Sequence, residues 1–199
     1  MCNKLPSFLV TLTCLLVLPA CVNLKPVPSQ TKCYTLGPVE AQVPDAAIAQ
    51  KAPIYVVCPQ LPTYLDSAWL TYLSADGELN KLADARWAEP LAEGIARAVS
   101  LYLSRAGVGS IEGYYPWPNA ASKSTRLSLN FERIGALESG AVQVVVRWTL
   151  KQSDGTSKGG RYNSDNLHWE VGQPETLVAA LNSALRELAD EIGAGNTAP

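Results

Sequence analysis

The sequence predicts a single layered α/β domain of the α+β kind, with two long helices packed on a mixed, mostly antiparallel sheet of five or six strands. Three observations carry this expectation. Apolar residues recur at helical spacing around residues 87–106 and again over 174–192. Before and between these segments lie short runs rich in Val, Ile, Trp and Tyr, several of them alternating apolar with polar positions. Asp-Gly and Ser-Gly signals join those runs into hairpins. Elements with one apolar face must bury it against another element, and a layered fold follows.

The chain begins with eleven apolar or Thr positions, residues 8–18, against the roughly 20 that a bilayer-spanning helix needs. Lys4 precedes the run and Pro19-Ala20 follow it, which is the layout of a secretory signal peptide. Residues 1–20 are therefore read as signal, in preference to a buried N-terminal strand or helix. Cleavage would fall before Cys21. Cys14 lies inside the apolar run, and cleavage there would leave LLVL at the mature terminus. Residues 21–32 have the polar, Pro-containing makeup of a flexible tether. The folded domain is expected over 33–193, and residues 194–199 as a frayed, disordered tail.

Within the domain, residues 33–36 and 54–58 read as strands, separated by an Ala- and Pro-rich linker. Ala75-Asp76-Gly77 marks a short, partly exposed hairpin. Trp87, Leu91, Ile95, Val99, Tyr102 and Leu103 then form one helical face, closed by Gly107. Pro90 fits the first turn, so this helix should begin near Trp87 or Ala88. A strand near 108–112 leads into the Pro-bracketed loop YYPWPNAASKS. Leu127, Leu129 and Phe131 alternate with polar residues, as do Val142, Val144, Val146, Trp148 and Leu150 beyond Glu138-Ser139-Gly140. These two strands form a hairpin. A second hairpin turns at Ser153-Asp154-Gly155 and returns over about 161–171. Pro174 opens the last helix, with Leu177, Leu181, Leu185, Leu188 and Ile192 on one face, Glu175 at its positive end and Gly193 after it.

Sixteen Lys and Arg are scattered among eighteen Asp and Glu, and loss of the signal removes only Lys4, taking the net charge from −2 to −3. No nucleic-acid partner is expected, because such proteins carry a basic patch or stripe. After processing and acylation, Cys33 and Cys58 are the remaining thiols. An oxidising periplasm favours a disulfide between them if their strands are neighbours, with two buried free thiols as the alternative.

No catalytic constellation is visible. His168 is the only histidine, on a strand without Cys or His partners. Ser110 lies outside any G-x-S-x-G elbow, and the glycines of SDGTSKGGR lack P-loop spacing. Neither cofactor nor metal is expected, and a hydrolase centred on His168 would need a cleft that brings it a nucleophile. Tyr114, Tyr115 and Trp117 form either a partner surface or a loop folded back over the sheet.

Leu18-Pro19-Ala20-Cys21 resembles the lipobox of bacterial lipoproteins, which implies diacylglycerylation of the Cys21 thiol. Pro19 stands where that pattern favours a small residue. Val22 follows the cysteine, and by the same resemblance the absence of Asp there implies sorting to the outer membrane. Further on, PQLPTYLDSAWLTYLSADGELNKLADARWAEPLAEGIARAV resembles the ABC-type transport auxiliary lipoproteins, the family of the paraquat-inducible lipoprotein C. Its most specific residues are Pro62, Tyr64, Leu65, Arg86, Trp87, Ala88, Pro90 and Leu91. The resemblance implies a periplasm-facing outer-membrane lipoprotein, without ATPase or enzymatic activity of its own. It would work beside mammalian-cell-entry (MCE) proteins and ABC transporter components in moving lipids between membranes. Homo-oligomerisation stays open.

Trp87 and Leu91 are expected to seat the helix on the sheet, and Tyr64-Leu65 to lock the preceding loop. Arg86 either caps that arrangement or contacts a partner. The alternative to the docking subunit is a periplasmic lipoprotein that binds a small apolar ligand in a deep pocket or serves another envelope complex.

Overall fold

The computed structural model describes residues 30–38, 53–117, 124–164 and 166–197. The signal, Cys21, most of the tether and the last two residues lie outside this set. The described elements are β1 (Lys32–Tyr34), β2 (Pro53–Val56), a 3-10 turn (Thr63–Leu65), β3 (Trp69–Leu73) and β4 (Leu79–Trp87), then α1 (Leu91–Arg105) and β5 (Ser110–Tyr114). After these come β6 (Thr125–Leu137), β7 (Ala141–Lys151), β8 (Ser157–Asn163), β9 (Leu167–His168) and α2 (Pro174–Thr197).

The spine of the open sheet is β6, whose thirteen residues alternate between the core and solvent until a bulge at Phe131/Arg133. One edge of β6 pairs antiparallel with β7, from Arg126↔Lys151 to Ala136↔Val142. The other edge is shared by two strands in tandem. β2 lies parallel along Thr125–Leu127, Gln60 bridges to Asn130, and β3 lies parallel at Ala136 and Leu137. Outward from β2 comes β5, and outward from β3 come β4 and then β1. On the far side, β7 carries β8 and β9.

The mixed α+β layering expected from the sequence is thus present, but with nine strands among the described residues instead of five or six, joined there by as many parallel ladders as antiparallel ones. The surplus comes from β9, which is too short to show a period, and from the β3–β4 hairpin, which joins the sheet. That hairpin is partly exposed, as expected, but it is anchored in the sheet by Leu70, Leu82 and Ala85, which are buried in the core.

Helices α1 and α2 cover one face of the sheet. The predicted stripe on α2 is fully interior, with Leu177, Leu181, Leu185, Leu188 and Ile192 all at 2% exposure or less. This helix runs past Gly193 to Thr197, so the frayed tail expected from 194 is helical over its described part. A glycine inside a helix costs only about 1 kcal/mol relative to Ala. α1 begins at Leu91, later than expected. Trp87 N–H donates to Ala68 O at 2.8 Å and Ala88 N–H to Tyr34 O at 2.9 Å, which keeps both residues in the sheet. Glu89, before Pro90, is also biased against helical geometry.

Two carboxylates pin separate regions. Glu132 accepts from Arg161 Nη2 at 2.8 Å and Arg147 Nη2 at 2.7 Å, and these bonds, Arg161 foremost, hold its pKa down to about 2. Glu175 accepts from Lys32 Nζ at 3.0 Å and Tyr34 OH at 2.8 Å. Lys32 first, then Tyr34 and the helix N-terminal N–H, bring its pKa to about 2. The turn carboxylates Asp76 and Asp154 shift down as well, through hydroxyl bonds from Ser74 and Thr156. Depressed folded-state values mean that this contribution to stability is complete above the ordinary carboxylate value near 4.5 and is lost as pH falls towards 2. Denaturation midpoints should therefore be insensitive to these groups above about pH 5 and fall steadily below it. Glu132→Gln should flatten part of that acid slope.

Candidate functional site

After β2 the chain leaves the edge of β6 at Gln60 and makes the 3-10 turn, with Leu65 N–H donating to Pro62 O at 3.0 Å and Asp66 N–H to Thr63 O at 3.1 Å. Facing this connection is the junction of β4 with α1. Glu89 in the junction pairs with Arg97, eight residues on in the second turn of α1, and Arg97 Nη2 also donates to Leu36 O at 2.8 Å. These bonds tie the junction to the segment that follows β1. Between connection and junction lies an open groove of about 560 Å³, lined in the main by Pro59, Leu61, Pro62, Leu65, Trp87 and Leu91. On the other side of the connection, a groove of about 320 Å³ opens between β3 and β6 and takes in Tyr64, Leu65, Leu73 and Leu79.

Pro62, Leu65, Trp87, Ala88, Pro90 and Leu91, scattered over thirty positions of sequence, thus meet at one place. Their roles divide. Leu65 and Leu91 are buried and anchor the two walls, whereas Tyr64 is 44% exposed and Ala88 and Pro90 face solvent. Trp87 closes β4 and packs half-buried against the core, so it braces the sheet end and does not start the helix. Arg86 points away from this groove and stacks its guanidinium 3.9 Å from the centroid of the Trp69 ring. It does not cap α1.

The predicted Cys33–Cys58 disulfide is corrected: both are free, exposed thiols. β1 pairs with β4, while Cys58 follows β2 against β6. β4 stands between β1 and the row that β3 and β2 share on the edge of β6, and two strand spacings of about 4.8 Å each take the cysteines beyond the roughly 7 Å Cα limit for a bridge.

The aromatic loop is split between its two readings. Tyr114 and Tyr115 fold back against the core, and Trp117 is 64% exposed, its carbonyl accepting from Tyr55 OH at 2.6 Å. The Tyr115 phenol is pushed up chiefly by Cys58 beside it. His168 is exposed on β9, opposite Ala141. Among the described residues no group of three or more metal-ligating side chains occurs, and no helix is long and apolar enough to cross a membrane.

Sequence reasoning missed the Glu132 clamp. Its signal lay in the turn at Asp154, which as a hairpin centre sets Arg147 opposite Arg161. The Glu89–Arg97 pair was missed as well, since it depends on where the helix starts.

The family described as the ABC-type transport auxiliary lipoprotein component matches residues 34–193. The chain belongs to that family. Its members are lipoprotein components of transport systems, and this chain is accordingly a transport auxiliary component associated with the cell envelope. Among solved structures it is similar to an uncharacterized protein, at TM-score 0.65 and 18% identity, covering 82% of this chain and 97% of that one. A DUF330 protein from Xanthomonas campestris matches at TM-score 0.55 and 18% identity, over 83% of this chain and 91% of that one. The PelC dodecamer from Paraburkholderia phytofirmans aligns at TM-score 0.39 and 16% identity, over 80% and 93% of the two chains. The first two similarities support the fold. No curated protein matches.

Proposed function

We propose that this family member is an outer-membrane lipoprotein facing the periplasm, anchored through acylated Cys21, which serves as the docking subunit of an MCE/ABC-type intermembrane lipid transport system. It binds a protein partner, an MCE-domain protein or transporter component, and performs no catalysis. The observation that carries this reading is the convergence of the family-motif residues on one solvent-open groove. Residues needed only for the core would be interior, yet Ala88 and Pro90 stand exposed at its rim, and Tyr64 is exposed in the adjoining groove across the same connection. Exposed aromatic side chains that a partner can bury, such as Tyr64, are the usual anchors of protein interfaces. The lipid anchor and the tether of about eleven residues, which reaches roughly 35 Å when extended, would let the domain meet a periplasm-spanning partner. A small apolar ligand calls for an enclosed cavity. The space between helices and sheet is instead filled by close-packed Leu, Val and Ile.

Crosslinking intact envelopes and recovering the lipoprotein should bring down MCE or transporter components. Tyr64→Ala should weaken that association by about 2 kcal/mol, roughly thirtyfold, with the thermal unfolding of the domain unchanged. Recovery of no such component with the unaltered protein, together with normal outer-membrane lipid homeostasis in a deletion strain, would overturn the proposal.

A further inference from the structure

The face of the sheet turned away from the helices has a charge unlike that of the chain. Leu82 and Ala85 of β4, Leu127 and Leu129 of β6, Trp148 and Leu150 of β7, and Tyr162 of β8 point to the core. The residues alternating with them are exposed and include Lys81, Arg86, Arg126, Arg133, Arg147, Lys151 and Arg161, seven of the sixteen cationic side chains in the sequence. The carboxylates on these strands are Glu132, already held by Arg147 and Arg161, and Asp84 at the irregular part of β4. The helical layer leans the other way, with Glu93, Glu175, Glu187, Asp190 and Glu191 against Arg97, Arg105 and Arg186. A chain of net charge −2 therefore has one strongly basic face.

Two features of that face call for an external anion. Arg126 and Lys151 are direct cross-strand partners, a like-charge arrangement that is destabilising in itself. Among the described residues neither has a carboxylate in salt-bridge range. Beside them stand aromatic side chains with polar edges. Tyr55 is the partner of Arg126 on β2 and donates to the carbonyl of the exposed Trp117, and Trp69 lies under Arg86 with Lys81 5.8 Å away. Rows of cations flanked by Trp and Tyr suit the headgroup layer of a bilayer, where aromatic rings settle and basic side chains meet lipid phosphates. The family is one of lipoproteins, so a bilayer is within reach of this face.

We propose that the open face of the sheet docks on anionic phospholipid headgroups, laying the domain on its membrane with the helical layer turned outward. This is independent of the motif groove and its partner.

The test uses the mature lipoprotein on vesicles of phosphatidylcholine, with and without phosphatidylglycerol, treated with a water-soluble amine-reactive reagent. Lys158, whose amine reaches Gly195 O on the helical side at 3.4 Å, is the reference. On phosphatidylglycerol vesicles, labelling of Lys81 and Lys151 relative to Lys158 should fall about fivefold or more and should recover at roughly 0.5 M salt, where the Debye length shrinks. The double variant Arg126→Glu/Lys151→Glu, checked for an unchanged thermal melt, should restore labelling of Lys81. Equal labelling on both kinds of vesicle would overturn the proposal, as would protection of Lys81 that survives the double variant. Protection seen only in native membranes, and absent from protein-free vesicles, would overturn it in favour of an acidic protein partner.

Discussion

Replacing Gly37 with Val is expected to destabilise the domain by about 3 kcal/mol or more, through strain and overpacking together. Gly37 has a φ of +93°, and a Cβ built there would lie 3.2 Å from both Cα and Cβ of Ala98. The residue is also pinned, since its N–H donates to Asn182 Oδ1 at 2.7 Å and the preceding Leu36 carbonyl accepts from Arg97. One short segment therefore links α2, α1 and the end of β1. Moving it aside to relieve the contact would break those bonds. Gly37→Asn separates the two causes, because Asn tolerates positive φ but still brings a Cβ. It should cost less than Val and more than nothing in chemical denaturation.

The second large effect is at Trp148. Its ring, 4% exposed, fills the space that Gly160 leaves on the adjacent strand, where a Cβ would stand 2.9 Å from the indole. Its Nε1 donates to Glu191 of α2 at 2.9 Å. Trp148→Ala should cost about 3–5 kcal/mol, the range for a large aromatic removed from a packed core. Trp148→Phe keeps much of the volume and loses the hydrogen bond, so it should cost clearly less. Equal losses for the two variants, measured by denaturant midpoint, would show that the bond to Glu191 dominates over packing.

What the sequence made legible was governed by local periodicity. The apolar face of α2 and the turns centred near Ser139 and Asp154 followed from spacing alone, and the β6–β7 and β7–β8 ladders obey those turns. Adjacency between distant strands left no such trace. Nothing in KCY or PIYV shows that β1 lies beside β4 while β2 lies beside β6, and the disulfide inference failed for that reason. The helix start failed differently. Trp87 stands four positions before Leu91, as a helical face requires, but its N–H is committed to Ala68 in the sheet. Among motif residues, sequence reasoning gave Trp87 and Leu91 a packing role; Leu91 is buried on α1, and Trp87 packs half-buried from the end of β4. It did not separate the buried Leu65 from the exposed Tyr64, because that difference depends on the 3-10 turn between β2 and β3.

The tandem arrangement of β2 and β3 on one edge of β6 amounts to a mismatch of chain length. From Gln60 to Tyr72 the backbone takes twelve residue steps, while their partners Asn130 and Ala136 are six apart on β6. Both ends are fastened, so the surplus can go nowhere but sideways, and this slack is what walls both grooves. Shortening the 61–68 segment would draw it taut and erase the two grooves together, with the ladders at either end still in register. The geometry offered to a partner is thus encoded by how many residues lie there, before it is encoded by which ones.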